Sequence, residues 1–284
     1  MNVPAVAKKC VVFLGLRGEI PEATAFLVDH PMEGGPLDRR AKYLVTATHC
    51  LPEDPSSFSA RVNMKGGKVE FVDLPKRWWQ HPSDPTVDVS VTPLPPDLRA
   101  ADVGTVPAEI FLHPKAVDGH GYIGEGDEVF ITGLFAESHG DHRNLPIVRT
   151  GNIARVASDD QRIATEWDQG PIVVHLIEAR SRSGVSGSPV FTRRTVKFHA
   201  VQGQPITAGA SQIIGHGPEI YLLGMIHGHF DDDATSINMG IAFVIPAPHI
   251  LQTLNHPELV TMRREQVAAH RARAKPDSRE GDDG

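Results

Sequence analysis

Residues 183–190 read Ser-Gly-Val-Ser-Gly-Ser-Pro-Val. Gly184 and Gly187 flank Ser186 without side chains of their own, which permits a tight turn and lets another backbone approach closely. Pro189-Val190-Phe191 reads as a strand leaving that turn. A serine so placed is a candidate nucleophile, yet a hydroxyl is weak at its free pKa. It needs a neighbouring base, and the base needs a third group to hold its tautomer and stabilise the imidazolium that forms. Working outward, two further strings supply those residue types: Tyr43-Leu-Val-Thr-Ala-Thr-His-Cys50 and Thr86-Val-Asp-Val-Ser-Val-Thr-Pro93. His49 is the candidate base and Asp88 the group behind it. The backbone N–H groups of Gly184 and Ser186 are the candidate donors for the oxyanion of an acyl transfer.

The surrounding chain reads as β-structure. Of 284 residues, 40% are hydrophobic, 26 are glycine and 23 proline, and the apolar runs are short. That combination favours an all-β design rich in turns over a helical bundle. Strands are expected at residues 10–16, 23–28, 43–46, 69–72 and 87–94, which could close one barrel. A Pro- and Asp-bearing connection, 95–118, follows. A second series is expected at 128–132, 147–154, 171–177, 189–191, 219–226 and 240–245. After Pro246 the pattern turns helical, with His249, Ile250 and Leu254 in one segment and Leu259, Met262, Val267 and Ala268 in the next. The basic positions Arg263, Arg264, Arg271, Arg273 and Lys275 read as a solvated helix face. Residues 275–284, KPDSREGDDG, are too poor in apolar groups to order themselves. The expected division is therefore residues 10–115, 120–247, a helical segment 248–274 and a disordered tail 275–284.

The three strings together carry a resemblance. Thr-Ala-x-His-Cys around His49, Asp-Val-x-Val from Asp88 and Gly-x-Ser-Gly-x-Pro around Ser186 stand in the order and approximate spacing of trypsin/chymotrypsin-like serine peptidases. The intervals are 39 residues from His49 to Asp88 and 98 from Asp88 to Ser186. Gly-x-Ser-Gly-Ser-Pro-Val-Phe is similar to the bacterial glutamyl-endopeptidase-like branch, and residues 126–133 and 240–246 resemble second-barrel strands of the heat-shock-protease-like branch. The resemblance covers roughly residues 10 to 255. It implies two antiparallel six-stranded β-barrels, the first bearing His49 and Asp88 and the second Ser186, with a C-terminal helix. It also implies endopeptidase activity through an acyl-enzyme, no cofactor and no metal. The substrate pocket would be formed by the segment before Ser186, the strand 222–228 and the wall near Gly240. Arg180, six residues before Ser186, falls where trypsin-like enzymes place the group at the pocket base. With His227 and His229 it would favour an acidic P1 side chain. The plainer alternative has Arg180 in solvent and His227 hydrogen-bonded near Asp88.

The chain departs from the family at Val185, where zymogens of the trypsin type carry aspartate, so activation by a freed N-terminus is not expected. The half-cystine that usually partners the cysteine after the histidine would fall near Phe26, so Cys10 and Cys50 are expected to be free thiols.

Other readings are weaker. The formal net charge of −7 gives no general attraction to phosphate backbones or anionic lipid. No apolar run approaches the roughly 18 to 20 residues that span a bilayer. The expected partner is thus a protein or peptide substrate, neither nucleic acid nor membrane. The run 10–16 is short for a secretion signal and reads as the first strand, which makes the expected location cytoplasmic, with secretion as the alternative. His139, Asp141 and His142 share a polar loop that offers no rigid support for a metal. Trp78 and Trp79 read as packing. An α/β-hydrolase elbow would have glycine at 188 and its acid and base after the serine, whereas both precede it here. The main rival to an enzyme is a protease-shaped scaffold that binds peptides or partner proteins without cutting them.

Overall fold

The structure, a computed structural model, describes residues 3–36, 39–113, 123–164, 169–179, 184–193, 220–231 and 238–274. A short helix α1 (Ala5–Lys9) precedes β1 (Val11–Leu16), β2 (Ala23–Pro31) and β3 (Arg40–Thr46). β4 (Phe58–Asn63), β5 (Val69–Asp73), β6 (Trp79–Gln80), β7 (Ser90–Pro93) and β8 (Val106–Pro107) complete the N-terminal sheet. The C-terminal half contributes β9 (Glu128–Gly133), β10 (Ile147–Arg155), β11 (His175–Glu178), β12 (Pro189–Arg193), β13 (Ile220–Asp231) and β14 (Asn238–Pro246). Two helices follow, α2 (Ala247–Leu254) and α3 (Pro257–Ala274).

β9 to β14 form a closed six-stranded antiparallel barrel in the order β10-β11-β14-β13-β12-β9. The N-terminal strands run β5-β4-β1-β2-β3-β7-β6, with β8 added parallel to β2 at Val28 and Val106. This is the chymotrypsin-like double-barrel class. Its first member is an eight-stranded sheet whose end strands, among the described residues, do not pair with each other. β6, at one end, has only two residues with which to extend the ladder.

One apolar cluster crosses the seam between the halves. Phe26, Val28, Val45, Val89 and Val91 from the N-terminal sheet meet Phe130, Phe191, Leu222, Met225 and Ile245 from the barrel, and Ile250, Leu254 and Leu259 of the helices close it. Separate clusters fill each half. The loops that carry the candidate chemistry therefore leave strands anchored in a shared core.

Two polar residues lie where apolar periodicity gives no clue. β4 was not among the expected strands, although Phe58, Ala60 and Val62 alternate with Ser59, Arg61 and Asn63; Ser59 and Arg61 are buried as well. The Arg61 guanidinium donates to Asn144 Oδ1 at 2.6 Å, to the Gly140 carbonyl at 2.6 Å and to the Asp141 carbonyl at 2.9 Å. The loop holding His139, Asp141 and His142 is thus a cap for Arg61.

Arg263 corrects the reading of α3 as solvated along its basic positions, being only 1% exposed. It donates to the Tyr43 hydroxyl at 2.9 Å, the Leu254 carbonyl at 2.8 Å and Asn255 Oδ1 at 2.9 Å, which bolts α3 to β3 and to the end of α2. Trp79 packs in the core as expected and donates through Nε1 to Glu258 of α3 at 3.0 Å.

Candidate active site

His49 lies in a single 3-10 turn, Thr48–Cys50, that ends the run of β3. Asp88 lies two residues before β7, which pairs antiparallel with β3 through Thr46 and Ser90. That register brings the two side chains to the same end of the sheet. His49 Nδ1 lies 2.6 Å from Asp88 Oδ2, and the His49 backbone N–H donates to Asp88 Oδ1 at 3.1 Å. The Asp88 side chain is fully buried and its carboxyl held low, so when His49 is neutral Nδ1 carries the proton and Nε2 is the acceptor nitrogen, the tautomer a general base requires.

A second imidazole reaches the same oxygen. His227 on β13 sits with Nδ1 2.5 Å from Asp88 Oδ2, and its ring meets that of His49 edge-on, the centroids 5.4 Å apart. His227 thus takes the position of the plainer alternative, bound to Asp88 and not aimed at a substrate side chain. Burial alone would raise the Asp88 carboxyl, but the hydrogen bonds from His227 and His49 hold it below the ordinary carboxylate range. Burial alone would lower the His49 imidazole. Its hydrogen bond to Asp88, joined by the Cys50 sulfur, pushes it up to about 10.

The turn bearing Ser186 is held by β2. Thr24 donates its hydroxyl to the Gly184 carbonyl at 2.9 Å and receives the Leu134 N–H at 3.0 Å, while the Thr24 N–H donates to the Ser186 carbonyl at 3.1 Å. On the other side the Gly187 N–H donates to Ile226 of β13 at 2.9 Å. Gly187 has φ +81°, and a Cβ there would collide with the Thr24 carbonyl oxygen, so glycine is required twice over. Among the described residues neither the Gly184 nor the Ser186 N–H donates to another group. The Ser186 hydroxyl donates to the His227 backbone carbonyl at 3.2 Å.

Of the expected pocket residues, Arg180 lies outside the described residues. His229 is half-buried on β13 opposite Ala242, and Gly240 accepts the Ala179 N–H at 2.8 Å with open space where a Cβ would stand. Thr24 was not legible in the sequence, because a buried threonine within an apolar strand carries no motif, whereas His227 near Asp88 was one of the two readings left open there. Cys10 and Cys50 are both free thiols.

The arrangement holds an imidazole against a buried carboxylate through Nδ1 and places the Ser186 hydroxyl on the His227 carbonyl. No family model and no curated protein matches the chain. Among solved structures it is similar to the protease domain of MamO from Magnetospirillum magneticum, with a TM-score of 0.52 and 15% identity over 87% of this chain and 96% of that one. It is also similar to the Rv3671c protease of Mycobacterium tuberculosis in an inactive form, with a TM-score of 0.49 and 16% identity over 88% and 90% of the two chains. The MamO likeness extends over both halves and shows the protease-domain fold.

Proposed function

We propose that the chain is a serine endopeptidase in which Ser186 attacks the scissile carbonyl, His49 takes and returns its proton, and Asp88 holds the His49 tautomer. The observation that carries this reading is the Asp88–His49 pair at 2.6 Å, made by the Nδ1 atom, with the Ser186 hydroxyl on the carbonyl of His227, whose ring shares Asp88. In the reaction the Ser186 hydroxyl would leave the His227 carbonyl for His49 Nε2, and catalytic hydrogen bonds are often completed only when substrate binds. The uncommitted N–H groups of Gly184 and Ser186 would receive the oxyanion of the tetrahedral intermediate, where loss of one donor costs on the order of a hundredfold in rate. With His227 committed to Asp88, an acidic P1 preference would rest on Arg180 and His229.

A fluorophosphonate probe tests the reading. Covalent labelling that disappears in Ser186→Ala supports it. A protein that stays unlabelled from neutral to strongly alkaline pH points instead to the non-cutting scaffold, the reading favoured by the present seat of the hydroxyl on the His227 carbonyl. For P1, a peptide library cleaved after Lys or Arg overturns the acidic preference.

A further inference from the structure

We propose that His49, Asp88 and His227 form a binding site for a divalent transition metal of the zinc class, and that the bound metal switches Ser186 off. The first half stands on geometry alone, while the second rests on the peptidase reading.

Three ligand-type atoms converge from three separate segments, all within 4.8 Å of one another. Two imidazole nitrogens and one carboxylate oxygen are a donor set that suits zinc and its neighbours. Both Nδ1 atoms approach the same Oδ2, at 2.6 and 2.5 Å, from rings set at 88° to each other. Two N–H dipoles thus already direct positive charge onto one buried carboxylate oxygen, and a single cation between the three atoms would replace both.

The fit requires movement. Metal–ligand bonds of about 2.0–2.1 Å in tetrahedral geometry set N···O separations of roughly 3.3 Å, so each ring must retreat by about 0.7 Å. Asp88 is fully buried and His227 nearly so, but the His49 side chain is 25% exposed, which gives the metal an entrance and that ring room to yield. Water would complete the shell at the fourth position.

Coordination through Nδ1 obliges a neutral imidazole to carry its proton on Nε2. His49 would then offer Ser186 a donor where the reaction needs an acceptor. From the imidazolium form of His49 the Nδ1 proton is released to solvent as the metal binds, while a neutral ring changes tautomer; in either case the base is lost for as long as the metal stays. The sequence led to an expectation of no metal, because the histidine–carboxylate cluster weighed there lies at 139–142 and these three ligands are distant along the chain.

Calorimetric titration of zinc chloride into the full chain, after treatment with a chelator, tests the site, with cobalt absorption reporting four-coordination. One equivalent should bind, with affinity falling at least about tenfold in His227→Gln and in His49→Gln. Glutamine at 227 retains an N–H for Asp88, and thermal melting establishes that each variant is folded. The chain has 15 histidines, so weak scattered binding is expected as background. Zinc affinity unchanged in a folded His227→Gln variant, or no stoichiometric binding at all, overturns the site. Saturating zinc should slow fluorophosphonate labelling of Ser186 at least tenfold, reversibly on chelation, and labelling at full rate with zinc bound overturns the switch. Labelling absent in every condition while zinc binding still depends on His227 leaves the metal site standing and removes the peptidase reading.

Discussion

Thr24 uses one buried hydroxyl for two partners, donating to Gly184 and accepting from Leu134, while its N–H holds the Ser186 carbonyl. Replacing it with valine keeps the shape and strips both hydroxyl bonds. Thr24→Val is expected to lower stability by about 1–3 kcal/mol, read from the urea midpoint, because a carbonyl and an N–H are left buried without partners. Labelling of Ser186 should slow as the turn loosens. His49 carries the second prediction at this scale. The base works only when neutral, and its pKa is raised to about 10, so the neutral form is scarce at pH 7 and grows as pH rises. In chelator-containing buffer the labelling rate should climb about tenfold per pH unit through neutrality and still be climbing at about pH 8. A plateau beginning near the ordinary histidine range contradicts the environment assigned to His49.

At the scale of elements, two arginines do what apolar stripes usually do. Arg61 ties β4 to the loop 140–144, and Arg263 ties α3 to β3 and α2. Arg263→Ala should cost about 2–3 kcal/mol, seen in chemical denaturation, because the Tyr43 hydroxyl and the Leu254 carbonyl lose a charged donor in a buried position. Limited proteolysis should then cut first within α3, and cleavage unchanged from wild type would show that the helix is held mainly by Leu259 and its apolar neighbours. Most strands were legible, β1, β2, β9 and β12 to within a few residues, because short apolar runs bounded by turn residues encode them locally. β4 was not expected despite its alternation, and only its partners show that the polar positions Ser59 and Arg61 are buried too.

Across the whole molecule, the buried His175 shapes the response to acid. Burial lowers its pKa to about 4, and its Nδ1 accepts the Ala157 N–H at 3.0 Å, so the folded chain resists taking up a proton that the unfolded chain accepts near pH 6.5. Between those values the unfolded state binds more protons, and stability must fall as pH drops from about 6.5 towards about 4. His175→Phe should flatten that part of the stability–pH curve, as measured by thermal melting at stepped pH. An unchanged curve would place the acid sensitivity elsewhere. What the sequence determined by itself was the all-β class and the strings carrying His49, Asp88 and Ser186, because turn glycines, prolines and apolar alternation act over a few residues. Only the tertiary structure decided that His227 shares Asp88 with His49, that Thr24 braces the Ser186 turn and that Arg61 and Arg263 are buried. Those contacts form where separate segments meet, and the partner of a buried polar group is set by which surfaces pack together, not by its neighbours along the chain.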